Sequence, residues 1–390
     1  MKKKKLMMLL LLLMLSMVVS KPAWAGDVYV KVTSSSDLTV GGFYIIAGVT
    51  NKGGKTCIAT GFDSGVLTGT MEGNNVGFTV NGNIIEVTSA SPLVFTLGGN
   101  STGYTLKYNS NYYLGYSGSS NTFEGVTSSS NNKEKWTYMY NDVQSLYAIV
   151  NKSSPDRFIG LHDDGYFKVY AKYDVYPIAT LYKKVAKVTL ATACTDGEKY
   201  YGTYSNTSAF VVPSDLTVSE IKVVDSKLSV SNYAIGDVVP KNTGVMVAST
   251  TAGNHFVDLT SAAGSSVLGE DNMLKPSGNG ITAEGMASGN DGNKFYRLTM
   301  HEGTTLGFYW GADNGAAFEL AANKAFLAVP SGAGAGSRIS GFNFDDQTSG
   351  IKTMNNASTM SRETYNLQGQ RVKADRKGLI VRNGKIIMNK

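Results

Sequence analysis

The sequence is poor in the residues that make covalent or metal frameworks, with two cysteines, three histidines and eight prolines among 390 positions. Cys57 and Cys194 lie far apart in the chain, so disulfides are not expected to hold the fold. His162, His255 and His301 never fall within ligand spacing of one another or of a cysteine, so no zinc motif is written here. A concentrated basic stretch is missing too between the leader and the C-terminal tail. Lys2, Lys3, Lys4, Lys5 and Lys21 belong to the N-terminal leader, and without them the 36 basic residues nearly match the 30 acidic ones. Neutralising a phosphate backbone needs a local excess of Lys and Arg, so nucleic acid is disfavoured as a partner. No apolar run of spanning length follows the leader, so no transmembrane span is expected.

The leader reads as a secretory signal peptide over residues 1–25. Lys2 to Lys5 make a charged head, residues 6–19 an apolar run, and Ala23, Trp24 and Ala25 a small-residue cleavage site. The apolar run is shorter than the ~20 residues that cross a bilayer. The predicted destination is the cell surface or the medium, with the periplasm as an alternative. With 390 residues the chain exceeds one ordinary domain of roughly 150, and two are expected.

Glycine is abundant, at 44 residues, and so is tyrosine, at 22, which favours many short strands joined by tight turns. Between residues 26 and 184 one pattern repeats three times. Strands led by Phe43, Tyr104 and Tyr147 open the copies, and second strands follow at 57–59, 113–115 and 158–160. Third strands follow at 66–67, 123–126 and 167–169, and fourth strands close the copies at 95–97, 136–138 and 178–181. Four strands in each of three copies predict a β-trefoil, a closed barrel without sheet edges. The first copy is longer by a hairpin, 77–80 against 84–87, turned at Asn81 and Gly82.

Residues 185–345 carry a second strand pattern and predict a small β-sandwich, with continuous apolar runs at 245–247 and 325–329. Residues 346–361 are polar and read as a linker. Residues 362–390 predict paired hairpins, one turned by Gln368 and Gly369, the other by Asn383 and Gly384. The fold class is therefore all-β: trefoil-like domain, sandwich, terminal hairpin segment.

Residues 27–184, with Leu38 closing an opening serine-rich motif and Tyr104, Tyr113 and Gly115 as later landmarks, resemble an N-terminal module of Bacteroidota secreted proteins. Residues 185–344 resemble another such module, on Tyr201, Tyr204, Pro240, Gly244, Phe308 and Phe326. The tail, with Tyr365, Gly369, Arg371, Gly378, Asn383 and Gly384, resembles the C-terminal sorting segment associated with type IX secretion. That resemblance implies the secretion machinery as a partner and export as the segment's purpose. The tail is also basic, through residues such as Arg376, Lys377 and Lys385, which could favour an anionic surface or simply keep a hairpin solvated.

Catalytic signals do not assemble. His162, Asp163, Asp164 and Gly165 sit between two strands and read as a turn. Residues 99–103 match G-x-S-x-G in letters, but a strand follows where the nucleophile elbow needs a helix. Residues 332–336 are glycine-rich without the Lys and helix of a phosphate cradle. Aromatics are the remaining resource, because flat rings with polar edges bind sugar faces and protein surfaces. The candidate ligand-binding residues are Tyr113, Tyr116, Trp136, Tyr166 and Trp310. The expected function is a non-catalytic, lectin-like or adhesin-like exported protein that recognises glycan or cell-surface protein and needs no cofactor. The alternatives are a structural spacer of the cell surface and a hydrolase with a carboxylate pair drawn from distant strands.

Overall fold

The computed structural model describes residues 26–118, 120–127, 132–280, 293–310, 318–330 and 341–344, together with the strands of the tail. The leader, the linker, and Gly369, Asn383 and Gly384 of the tail lie outside the described residues. Residues up to 347 form one compact unit and those from 348 another.

The chain opens with β1 (Asp27–Lys31), β2 (Phe43–Val49), β3 (Thr56–Asp63), β4 (Val66–Met71), β5 (Phe78–Asn81) and β6 (Ile84–Val87). It continues through β7 (Phe95–Asn100), β8 (Gly103–Lys107), β9 (Tyr113–Tyr116), β10 (Phe123–Val126) and β11 (Lys135–Asn141). The last strands of this region are β12 (Leu146–Asn151), β13 (Phe158–Leu161), β14 (Tyr166–Tyr170) and β15 (Thr180–Leu190).

Their pairing is that of a β-trefoil. Strands β15, β2, β7, β8, β11 and β12 pair antiparallel in that order, and β12 lies alongside β15 to complete the barrel. Hairpins β3–β4, β9–β10 and β13–β14 pack onto the same core and bond to one another. Phe123 N donates to Gly65 O at 2.8 Å and Val169 N to Asn121 O at 3.1 Å, while β14 pairs with β4. Strand period explains why these residues close a barrel. Leu97 faces Leu106, Tyr138 faces Ile149 and Leu181 faces Ile46, each pair directly opposite across a ladder and each pointing inward. Leu67, Phe123 and Phe167 from the hairpins fill the same core.

The outward faces of the copies differ. On the first, Ile45, Ala47 and Tyr182 are covered by Phe78, Ile85 and Val87 of the extra hairpin. On the third, Ala148, Val150 and Phe158 are covered by Tyr173 and Tyr176. The second copy has no such cover among the described residues.

Strand β15 runs on past the barrel, so the expected junction at 184/185 falls inside a strand, and its second half pairs with a strand of the next region. That region holds β16 (Tyr200–Tyr204), β17 (Ala209–Val211), β18 (Thr217–Val224), β19 (Lys227–Asn232), β20 (Val238–Val239) and β21 (Val245–Ser249). It also holds β22 (Gly253–Thr260), β23 (Leu274–Pro276), β24 (Lys294–His301), β25 (Thr305–Tyr309), β26 (Ala325–Val329) and β27 (Gly341–Asn343). Strands β15, β22, β17 and β20 pack against the sheet β16-β21-β18-β19 in a sandwich. A third sheet, β23-β26-β24-β25-β27, adds a layer on the far side. The middle sheet is therefore buried on both faces: Val245 and Val247 point into one interface and Met246 into the other. Strand β26 reads as a continuous apolar run for a similar reason, because Leu327 and Val329 face the middle sheet and Phe326 and Ala328 pack on Phe318.

In the tail, β28 (Thr364–Tyr365), β29 (Arg371–Val372), β30 (Gly378–Arg382) and β31 (Lys385–Asn389) form a separate sheet in the order β29-β28-β30-β31. Arg382 pairs with Lys385 between β30 and β31.

Two measurements follow from this packing. Trp136 is 1% exposed and its Nε1 donates to Leu114 O at 2.8 Å, so Trp136→Ala should cost about 3–5 kcal/mol in denaturant unfolding. A loss under about 1 kcal/mol, the ordinary range for surface changes, would contradict the packing. Burial also pushes Tyr182 and Tyr204 from 10.0 up to about 12. Below pH 10.0 both states are protonated and the stabilisation is complete; above it the unfolded chain ionises first. Tm should therefore fall as pH rises from 10.0 towards about 12, in step with tyrosinate absorbance, and a flat Tm across that window would refute it.

Candidate functional site in the second trefoil copy

The uncovered outer face of the second copy carries a groove of about 360 Å³. Its floor follows from the barrel register. Because Leu97 and Leu106 point inward, their neighbours Thr96, Gly98, Thr105 and Lys107 point outward, with Gly98 opposite Thr105 and Thr96 opposite Lys107. Lys107 in turn faces Tyr113 on β9, and Thr105 faces Lys135 on β11. A shallow centre of glycine and threonine is thus edged by an aromatic ring and long cations.

Glycine is required at this hairpin. Gly99 has φ +81°, and a Cβ there would lie 2.3 Å from Gly103 O. At Gly98 a Cβ would lie 2.6 Å from Thr105 Oγ1, so a side chain would fill the floor. The β7–β8 turn is held by Asn100 Oδ1, which accepts from Thr102 N at 3.0 Å and from Thr102 Oγ1 at 2.8 Å. Residues 99–103, whose letters match a nucleophile elbow, are this turn.

The groove is basic. Lys107 Nζ lies 5.6 Å from the centre of the Tyr113 ring. A Cβ on Gly103 would lie 3.3 Å from Cδ of both Lys135 and Lys152, so both stems run beside that glycine. Among the described residues none of these lysines has a carboxylate within ion-pair distance, whereas nearby Lys133 is paired with Glu124 at 3.1 Å.

The same register positions are apolar in the other copies. Gly98 and Thr105 correspond to Tyr182 and Ile45 in the first and to Met139 and Ala148 in the third. Lys107 and Tyr113 correspond to Ala47 and Ile58, and to Val150 and Phe158.

Of the five aromatics singled out in the sequence, Tyr113 alone lines this groove. Two were misplaced as surface residues. Trp136 is core, because it shares the inward register of Tyr138, and Tyr116 is 3% exposed with its hydroxyl donating to Ser120 O at 3.2 Å. Tyr166 stacks on His162 at 4.5 Å on the third copy, under Lys168. Trp310 stacks on Tyr296 at 6.1 Å in the region beyond the barrel, with Lys294 over its ring. These residues do not form one platform. Sequence reasoning passed over Lys107, Lys135, Lys152 and Thr105, and the signal that could have found them was the contrast between copies at equivalent positions.

The histidines and acids offer little chemistry. His162 lies in the β13–β14 turn, where Gly165 N donates to its carbonyl at 2.9 Å. His255 is 5% exposed, with Nδ1 2.8 Å from Asp215 Oδ2 and Nε2 3.1 Å from Thr251 O, so both ring nitrogens are occupied. The buried carboxylate of Glu220 accepts from Tyr233, from Ser266 Oγ at 2.7 Å and from Leu268 N at 2.7 Å, and pins that loop. Among the described residues no three His, Cys, Asp or Glu side chains are grouped to hold a metal. No helix among them is long and apolar enough to cross a membrane. Cys57 and Cys194 are unpaired thiols, and burial pushes the Cys57 thiol up to about 12.

No protein-family model and no curated protein matches the chain. Among solved structures it is similar to one described as "BEL beta-trefoil apo crystal form 3", at 14% identity and a TM-score of 0.25, covering 38% of this chain and 99% of that one. It is also similar to a mosquitocidal holotoxin, at 12% identity and a TM-score of 0.28, covering 75% of this chain and 35% of the toxin.

Proposed function

We propose that the protein is an exported, non-catalytic, lectin-like protein that binds a glycan in the outer groove of its second trefoil copy. The observation that carries this reading is the break in pseudo-threefold symmetry. The first and third copies cover this face with apolar side chains, while the second, among the described residues, leaves it open and lines it with Tyr113, Thr105, two lysines and glycine backbone. The volume of about 360 Å³ falls within the ~300–1,000 Å³ of small-molecule sites. A sugar offers an apolar ring face and a hydroxyl rim, which suit a flat aromatic beside hydroxyl and main-chain polar groups. An adhesin-like role towards a protein is the second reading, carried by Met139, Tyr140 and Val143, which stand 54%, 52% and 68% exposed together around the β11–β12 turn.

The full mature chain on an array of glycans tests the first reading. Tyr113→Ala should weaken the retained glycan about tenfold, the loss of one ring contact, while Tyr140→Ala leaves it unchanged. Retention of no glycan, or equal retention by the Tyr113 variant, removes the groove as a sugar site.

Export to the cell surface, directed by the leader and by a type IX-like sorting tail, is part of the same proposal. Deleting residues 365–390 should leave the protein inside the outer membrane upon cell fractionation. Unchanged surface exposure would deprive the tail of its sorting role.

A further inference from the structure

We infer that the groove selects an anionic sugar, one bearing a carboxylate or a sulfate ester, over its neutral counterpart. This rests on the lectin-like reading and narrows it to a ligand class. Lys107 on β8 and Lys135 on β11 line one small concavity, Lys152, just past the end of β12, runs beside its Gly103, and the groove lining contains no Asp or Glu. Each lysine stem is laid down by the barrel rather than left to wander. Lys107 sits over the Tyr113 ring, and Lys135 and Lys152 flank Gly103, where the absence of a side chain leaves room for both. The backbone also holds the two together, since Lys152 N donates to Lys135 O at 2.8 Å.

Like charges brought together without a counter-charge raise the local positive potential, and an anion entering there relieves it. Thr105, opposite Lys135, and Tyr113, opposite Lys107, line the same groove, so the site joins charge to a sugar-face contact. A carboxylate or sulfate supplies several acceptor oxygens for ammonium donors, and such charge-assisted hydrogen bonds are shorter and stronger than neutral ones. A neutral sugar could use the ring and the threonine, but would leave the lysines without a partner.

The test is titration of the full mature chain with polygalacturonate, a sulfated galactan, a neutral galactan and inorganic sulfate, at low and high salt. The acidic polymers should bind at least about tenfold more tightly than the neutral one, and lose affinity as salt is added. Lys107→Gln and Lys135→Gln should each weaken the acidic polymers about tenfold, the loss of one charge-assisted hydrogen bond, and leave neutral galactan unaffected. Preference for the carboxylated or the sulfated polymer identifies which anion the site takes. Equal affinity for neutral and acidic galactans, with loss in Tyr113→Ala, keeps the lectin-like reading and overturns the inference. Binding of inorganic sulfate alone, or acidic binding unchanged by the lysine substitutions or matched by single-stranded DNA, also overturns it. Binding of no polymer at all removes both.

Discussion

The register of the barrel depends on three inward pairs, Leu97 with Leu106, Tyr138 with Ile149 and Leu181 with Ile46. Side chains alternate with a period of two, so fixing these pairs inside fixes their neighbours outside, and a slip of one residue would expose a leucine pair and bury a lysine. The cost of such a slip, several buried apolar side chains at about 1.5–3 kcal/mol each, locks the register more firmly than any hydrogen bond on the surface. The groove follows from that lock. Gly98, Thr105, Lys107 and Tyr113 meet because the core places their neighbours, and the placing of Lys107 over the Tyr113 ring follows from that register.

This separation lets one copy differ from the others. The core face is shared by the whole barrel, and each member contributes to its stability. The outer face is private to each copy, and the first and third have used it to bury area: Ile45, Ala47 and Tyr182 under a hairpin, and Ala148 and Val150 under tyrosines. The second forgoes that stabilisation. An open polar face is tolerated because the barrel is already closed, and because Trp136, held by its bond to Leu114 O, ties β11 to β9 directly beneath it.

How much could be read in advance follows from the same geometry. The strand positions in the three copies were legible, because aromatic-led strands recur at similar spacing and repetition implies pairing. The extra hairpin was legible from Asn81 and Gly82. The fate of Trp136 was available but missed: residues 136 and 138 share a face, and a buried Tyr138 carries Trp136 inward with it. Tyr116 was missed likewise, two residues on from the inward Leu114. The third sheet beyond the sandwich could not be read, because one residue string in β21 serves two interfaces and a continuous apolar run does not say how many neighbours it has. The lysines of the groove were passed over because a search for sugar-binding rings looks for aromatics, and lysines on strands read as solvated.

The junction with the next region shows why the strand carrying the barrel's last inward pair cannot end with it. Strand β15 enters as the last strand of the barrel and leaves as an edge of the sandwich, pairing first with β2 and then with β22. At the changeover Lys183 donates to Asp258 Oδ2 at 2.6 Å and to Asp37 O at 2.6 Å, with only 12% of its side chain exposed. Gly42 bridges to Thr260, and Ser261 N donates to Gly41 O at 2.8 Å. A half-buried ion pair contributes little to stability by itself, but breaking one partner leaves a charge without its match. The pair therefore favours a single approach of β22 to β15, and the barrel strand that pairs with β2 and the sandwich strand that pairs with β22 are held as one continuous element.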